Sequence, residues 1–330
     1  MKTKVVRIIS IVVLVVLILA LGTLIAGAIA KANLAKKYPA PGQLVDVGGY
    51  KMHINCTGQG SPTVILAAGT ADFSTTWAYV QPEIAKLTRV CAYDRAGLGW
   101  SEPSPLPRTA GNTVTELHTL LFNAKIPAPY VLVGHSLGGL HMRLYAHNYP
   151  DEVAGLILVD ALHEDQPILD PVYTKANQAD VKPFRMFALL NSAGIMALAP
   201  QSIPNQGLPD AAYAQYQASL ATTSFFKTTL AEIDAQAANC AEVRGLKNRS
   251  FGSLPLIVLS RGRAGSGSAS LSAAENQQSW DVWKALQPKL AAFSSAGKQI
   301  VVEQSGHMIP LEQPGSVIAA IREMVVALGK

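Results

Sequence analysis

The sequence predicts an α/β fold: a mostly parallel central sheet flanked by helices, with a helical cap insertion and an N-terminal transmembrane-like helix. Three observations carry this. Short, nearly continuous apolar runs at 63–67, 130–133, 153–159 and 256–260 alternate with stretches of helical periodicity. Strands of that kind are apolar on both faces, so they belong in a parallel sheet covered by helices. Residues 161–250 then interrupt the rhythm with a long segment rich in Ala, Gln, Asn and aromatic residues. Finally, residues 8–30 hold no charged side chain, and Ser10 and Thr23 are their polar residues.

At 1.5 Å per residue, residues 8–30 reach across a hydrocarbon layer of roughly 30 Å. Lys2, Lys4 and Arg7 precede them, as in a signal peptide or an N-in anchor. The run is longer than the usual signal core of about 7–15 residues, so an uncleaved anchor is the first reading. A signal peptide cleaved after Ala28-Ile29-Ala30 is the alternative, and a buried helix the third. Either main reading puts the rest of the chain outside the cytoplasm, membrane-anchored or secreted. Residues 31–43, with Pro39, Pro41 and Gly42, read as a linker.

Strands at 44–47 and 50–56, on either side of Gly48-Gly49, predict a hairpin. The next two strands are 63–67, running into Gly69, and 90–93, followed by Asp94-Arg95-Ala96-Gly97-Leu98-Gly99. Strands at 130–133, 153–159, 256–260 and 299–303 complete the sheet. Helices are expected at 77–87, 110–123, 140–147, 273–294 and 316–328; in the second, Val114, Leu117, Leu120 and Leu121 make one apolar face. The core thus falls into two parts, 44–160 and 251–330. The cap, 161–250, has helical pieces at 182–198, 211–220 and 224–243. It is expected over the C-terminal strand ends, where open α/β sheets bind ligands.

The net charge of +5 is misleading as a whole-chain number. Six basic residues (Lys2, Lys4, Arg7, Lys31, Lys36 and Lys37) precede the first acid, Asp46, and the remainder holds 21 basic and 22 acidic residues. No clustered basic surface for nucleic acid is visible. Three cysteines are too few for a disulfide framework. Cys56 and Cys91 read as buried small apolar residues in strands, with a single bridge left open, and no Cys/His grouping suggests a metal.

Chemistry points to Gly134-His135-Ser136-Leu137-Gly138, between an apolar strand and a helix. A serine at such a sharp strand-to-helix turn is held as an exposed nucleophile, and the glycines on either side remove clashes. The backbone N–H of Leu137, at the helix start, faces a developing oxyanion. A serine needs a base. Of the seven histidines (53, 118, 135, 141, 147, 163 and 307), His307 in Ser305-Gly306-His307 follows the last strand and reaches over the strand ends. His135 points away from its neighbour Ser136 and belongs to the pocket wall. His141 and His147 lie on the following helix and are not expected to be catalytic.

With these motifs in order, residues 44–328 resemble the α/β-hydrolase fold family in its capped lipase/esterase and peptidase-like branch. The resemblance rests on Ala68-Gly69, on the run Tyr93-Asp94-Arg95-Ala96-Gly97-Leu98-Gly99-Trp100-Ser101, on the Ser136 turn and on Ser305-Gly306-His307. It implies a second oxyanion donor just past Gly69: the N–H of Thr70, with Ala71 as the near alternative. The family often has His-Gly where this chain has Ala68-Gly69. The resemblance also implies a triad acid, usually placed after the strand at 256–260. Here Arg261-Gly262-Arg263-Ala264-Gly265-Ser266-Gly267-Ser268 follows, with no carboxylate before Glu275. Some members place the acid one strand earlier, and Asp160 occupies that position. Glu164, Asp165, Glu275 and Asp281 are the other candidates.

The expected function is a serine hydrolase that cleaves a carboxylic ester of a small or medium neutral substrate through an acyl-enzyme, with no metal or organic cofactor. Aminopeptidase-type hydrolysis is the alternative, with Glu164 and Asp165 holding an amine. Haloalkane dehalogenation is disfavoured, because that branch carries an aspartate in the place of Ser136. A membrane-tethered binding protein on a degenerate hydrolase fold is the non-catalytic alternative.

Overall fold

The computed structural model describes residues 2–173, 175–176, 181–222, 224–265 and 268–329. Ser266 and Gly267, in the stretch searched for an acid, lie outside these residues. Eight strands form one sheet: β1 (Gln43–Asp46), β2 (Lys51–Thr57), β3 (Thr63–Ala67), β4 (Val90–Tyr93), β5 (Tyr130–His135), β6 (Val153–Val159), β7 (Leu256–Arg261) and β8 (Gly297–Val302). Their order is β1-β2-β4-β3-β5-β6-β7-β8. β1 and β2 form the expected antiparallel hairpin, and β2 meets β4 antiparallel; every later pairing is parallel.

Side-chain alternation explains why the central strands read as unbroken apolar runs. Val64 and Leu66 of β3 face one layer, with Val131 and Val133 of β5 and Ile157 and Val159 of β6. Helix Pro314–Leu328 covers that layer through Val317, Ile321 and Met324. Ile65 and Ala67 face the opposite layer, with Leu132, Leu156 and Leu158. Helices Ala110–Asn123, Leu137–Asn148 and Ala273–Ala291 cover it. Both faces need apolar residues, so period two disappears from the sequence. Cys56 and Cys91 face each other across β2 and β4 and form a disulfide. The expectation of two separate apolar thiols is corrected: strand pairing brings them together across 35 residues. Cys240 is free and buried.

The cap leaves the sheet after β6 and returns at β7. Its helices include Lys182–Ser192, Ile195–Leu198, Asp210–Thr222 and Phe225–Arg244. Phe73 and Leu98, from loops after β3 and β4, pack with Ile203, Leu220, Phe225 and Phe226 of the cap. This cluster joins cap to core directly beside the strand ends.

One helix, Lys2–Lys37, opens the chain, and its apolar side chains from Val5 to Ile29 are exposed. It runs through the first seven residues of the segment read as a linker, because no breaker occurs before Pro39 and Pro41. The short connection to β1 is tied to the core. Trp100 Nε1 donates to the Tyr38 carbonyl at 3.1 Å, and His53 Nε2 bonds the Pro41 carbonyl. The other His53 nitrogen meets the buried Asp94 carboxylate at 2.8 Å. Burial disfavours the charged form of His53, but the Asp94 carboxylate outweighs it and raises the pKa of the ring.

Candidate active site

β5 ends in a turn that glycine makes possible. Ser136 has φ 52° and ψ −120°, outside the regions an L-residue prefers. A Cβ on Gly134 would lie 2.5 Å from the Gly138 carbonyl oxygen, and one on Gly138 would lie 2.6 Å from that of Ala67. Backbone bonds clamp the strained residue: Ser136 N–H donates to the Val159 carbonyl at 3.1 Å, and the Ser136 carbonyl accepts from Gly139 and Leu162 N–H. The described non-glycine residues with positive φ are Ala71, Lys125, Ser136 and Asp160. Three of these four sit at the ends of β5 and β6 and in the loop after β3. Strain kept in one place against its cost marks a functional region.

The loop after β3 lies against this turn. A Cβ on Gly69 would be 3.0 Å from both the Ser136 Cβ and the His135 Nδ1. Thr70 follows, and Leu137 N–H belongs to the first turn of its helix, where N–H groups have no partner within the helix. Arg95 holds the loop from below. Its buried guanidinium donates to the Ala68 carbonyl at 2.6 Å and the Gly69 carbonyl at 2.7 Å. The same group makes a bidentate pair with Glu232 of the cap, at 2.6 and 2.9 Å. Arg95 stood in the sequence only as part of a loop motif. Its partner is 137 residues away, so no local pattern marks the pair.

His307 and Asp160 meet at the neighbouring strand ends. His307 Nδ1 is 2.5 Å from Asp160 Oδ2. Asp160 Oδ1 accepts from Arg261 N–H and Trp283 Nε1–H, both at 3.0 Å. The carboxylate is fully buried. Burial alone would raise its pKa, but the His307 hydrogen bond and charge, with Arg261, hold it below the ordinary value. The Arg261 guanidinium lies over the Trp280 and Trp283 rings at 5.1 and 4.9 Å. His135 Nε2 donates to the His307 carbonyl at 2.9 Å, and burial depresses its pKa to about 3, so it stays neutral and pins the His307 loop.

The other carboxylates lie elsewhere. Glu164 is buried between Arg143 at 2.6 Å and Arg249 at 2.8 Å. Asp165 lies beside His163. Glu275 closes a capping box with Ser272 and pairs with Lys175. Asp281 interacts with Gln277 and Lys284 along its own helix.

A cavity of about 510 Å³ opens beside the loop after β3, with Thr70, Ala71, Asp72 and Met308 on the core side. Cap residues such as Phe184, Phe187, Ile195 and Phe226 form the other walls. Asp72 Oδ1 accepts from Phe73 N–H, whereas Oδ2 is buried without a hydrogen-bond partner. Burial pushes this carboxyl up to about 6. An acid whose folded pKa exceeds its unfolded value costs stability once ionised: the cost is absent below about pH 4 and complete above about pH 6. Asp72→Asn is therefore expected to gain about 3 kcal/mol at pH 7.5 and almost nothing near pH 3. Thermal melts at the two pH values check this; equal Tm changes at both would contradict it.

Residues 64–321 match the Alpha/beta hydrolase family. Among curated proteins, the Bacillus subtilis (strain 168) uncharacterized protein YbdG is 27% identical over 166 residues, 50% of this chain and 50% of its own. An uncharacterized vacuolar membrane protein of Saccharomyces cerevisiae (strain YJM789) is 31% identical over 134 residues, 35% of this chain and 21% of its own. These matches take in half or less of the relatives' length. Among solved structures, a thermophilic esterase from Thermogutta terrifontis is similar with TM-score 0.57 and 21% identity, over 87% of this chain and 99% of that one. The epoxide hydrolase CorEH is similar with TM-score 0.62 and 18% identity, over 87% and 98%. These likenesses are of fold. With the matched family spanning most of the chain from β3 to the last helix, this protein belongs to the alpha/beta hydrolase family.

Proposed function

We propose that the protein is a membrane-anchored serine esterase in which Ser136, His307 and Asp160 form the triad and the N–H groups of Thr70 and Leu137 form the oxyanion hole. The observation that carries this is the 2.5 Å contact between His307 Nδ1 and the buried Asp160 carboxylate, at strand ends adjoining the strained Ser136 turn. Asp160 keeps the proton on Nδ1, which leaves Nε2 free to accept the Ser136 proton. Ser136 then attacks the ester carbonyl, the two N–H groups meet the oxyanion, and His307 protonates the leaving alcohol. Water, deprotonated by the same imidazole, releases the acid.

The nucleophile itself favours acyl transfer over epoxide opening. Alkylation of a serine would leave an ether, which water and an imidazole do not cleave; an acyl-serine is an ester and turns over. Glu164, engaged by two arginines, is not free to hold a substrate amine, which favours esters over aminopeptidase substrates. The apolar cavity wall suits a neutral acyl group. Anchoring is supported by the exposed apolar helix, and an extracytoplasmic site by the Cys56–Cys91 disulfide.

Labelling with a fluorophosphonate probe tests the reading. Wild type is expected to label and to hydrolyse p-nitrophenyl butyrate, and Ser136→Ala to do neither. A folded wild-type protein that does neither would instead support the non-catalytic binding role.

A further inference from the structure

The N-terminal helix does not stand clear of the catalytic body. Near its C-terminal end it packs against the cap helices Ile195–Leu198 and Asp210–Thr222. The approach is backbone to backbone: a Cβ on Gly27 would lie 2.8 Å from the Gly194 Cα, and one on Gly194 would lie 2.7 Å from the Gly27 Cα. Gly27 is in the last turn of the apolar run 8–30, and Lys31, Lys36 and Lys37 follow. On a membrane-spanning helix that turn marks the edge of the hydrocarbon layer, with the lysines at headgroup level. The cap therefore meets the helix where lipid begins.

The cap surface around this contact is apolar. Met186, Leu189 and Leu198 are 59%, 68% and 45% exposed. Phe187 and Ile195 are exposed as well, at 40% and 38%, and they also line the cavity. The same side chains thus form the outer surface and the wall of the substrate space. Lys182 and Arg185 are exposed on the helix that carries Met186 and Leu189. An apolar surface edged by cations suits a bilayer with anionic headgroups.

We propose that this cap face rests on the bilayer that holds the N-terminal helix, and that the cavity receives the acyl chain of a membrane-resident neutral ester directly from the lipid. The proposal rests on the esterase and anchor readings above, and it narrows the substrate from esters in general to lipid esters. Asp72 is the one Asp, Glu, Lys or Arg side chain among the described lining residues, so a fatty chain meets almost no fixed charge.

The test uses the full chain reconstituted in phosphatidylcholine/phosphatidylglycerol vesicles. A bimane label at Leu189→Cys is expected to be quenched by doxyl-labelled phosphatidylcholine, as is one at Leu14→Cys within the span. A label at Phe122→Cys, 77% exposed on a core helix, is expected to be unquenched. A Leu189 label that behaves like Phe122, with Leu14 quenched, overturns the proposal; an unquenched Leu14 label sinks the anchor reading instead. In turnover, the triple variant Met186→Asp/Leu189→Asp/Leu198→Asp is expected to lose about ten-fold or more against 4-methylumbelliferyl oleate embedded in vesicles. It is expected to keep wild-type turnover of p-nitrophenyl butyrate in detergent. Retention of both activities also overturns the proposal, whereas a wild type inactive on p-nitrophenyl butyrate refutes the esterase reading.

Discussion

Asp160→Asn is expected to lower kcat for p-nitrophenyl butyrate by about 10³–10⁴ with KM near the wild-type value. The surroundings of the residue dictate how the new amide sits. Arg261 N–H and Trp283 Nε1–H both donate to Oδ1, so the amide oxygen takes that side. The NH₂ group then faces His307 Nδ1. A donor there forces the imidazole proton onto Nε2, the atom that must accept from Ser136. The base is present but in the wrong tautomer. Half-buried Glu275 and exposed Asp281 provide the contrast, since Glu275→Gln and Asp281→Asn are expected to leave kcat unchanged. Full turnover by Asp160→Asn would refute the triad assignment. Stability follows with its own sign. The folded pKa of Asp160 is depressed, so its contribution is present above the ordinary carboxylate pKa and is lost as the pH falls through the folded value.

The second large effect is expected at Arg95 and Glu232. Glu232→Gln leaves a buried guanidinium without its counter-charge, which typically costs about 3–5 kcal/mol. Replacing both partners, Arg95→Met with Glu232→Leu, removes the unpaired charge and is expected to recover most of that stability. Activity is expected not to recover with it. Arg95 also holds the Ala68 and Gly69 carbonyls, and without it the loop carrying the Thr70 N–H is free to shift. A displacement of about 1 Å can cost about 10²-fold in rate. Urea melts and kcat measured on the same variants separate the effects. If the double variant regained kcat along with stability, Arg95 would be structural only and not a positioning residue.

What was legible in the chain follows from the range over which each constraint acts. The strand–turn–helix at Ser136 is local: an apolar strand, glycines where any Cβ would strike backbone, and a helix within a few residues. His307 was legible because it follows the last strand, and parallel strands deliver their following loops to one end of the sheet. The membrane-length helix was legible from composition, although its extension to Lys37 shows that linker character began only at the prolines.

By itself, then, the sequence determined the order of strands and helices, the glycine-flanked turn at Ser136, the loop that carries His307 and the place of the cap. Tertiary structure alone decided which carboxylate meets His307, because β6, β7 and β8 run side by side and bring Asp160, after β6, within reach of the loop after β8 across 147 residues of chain. It also decided that Cys56 and Cys91 bond, that Arg95 binds Glu232, and that Gly27 lies on Gly194. Each of these joins segments whose separation is set by sheet order and cap docking. Periodicity and turn chemistry report only on a residue's near neighbours, so they say nothing about such partners.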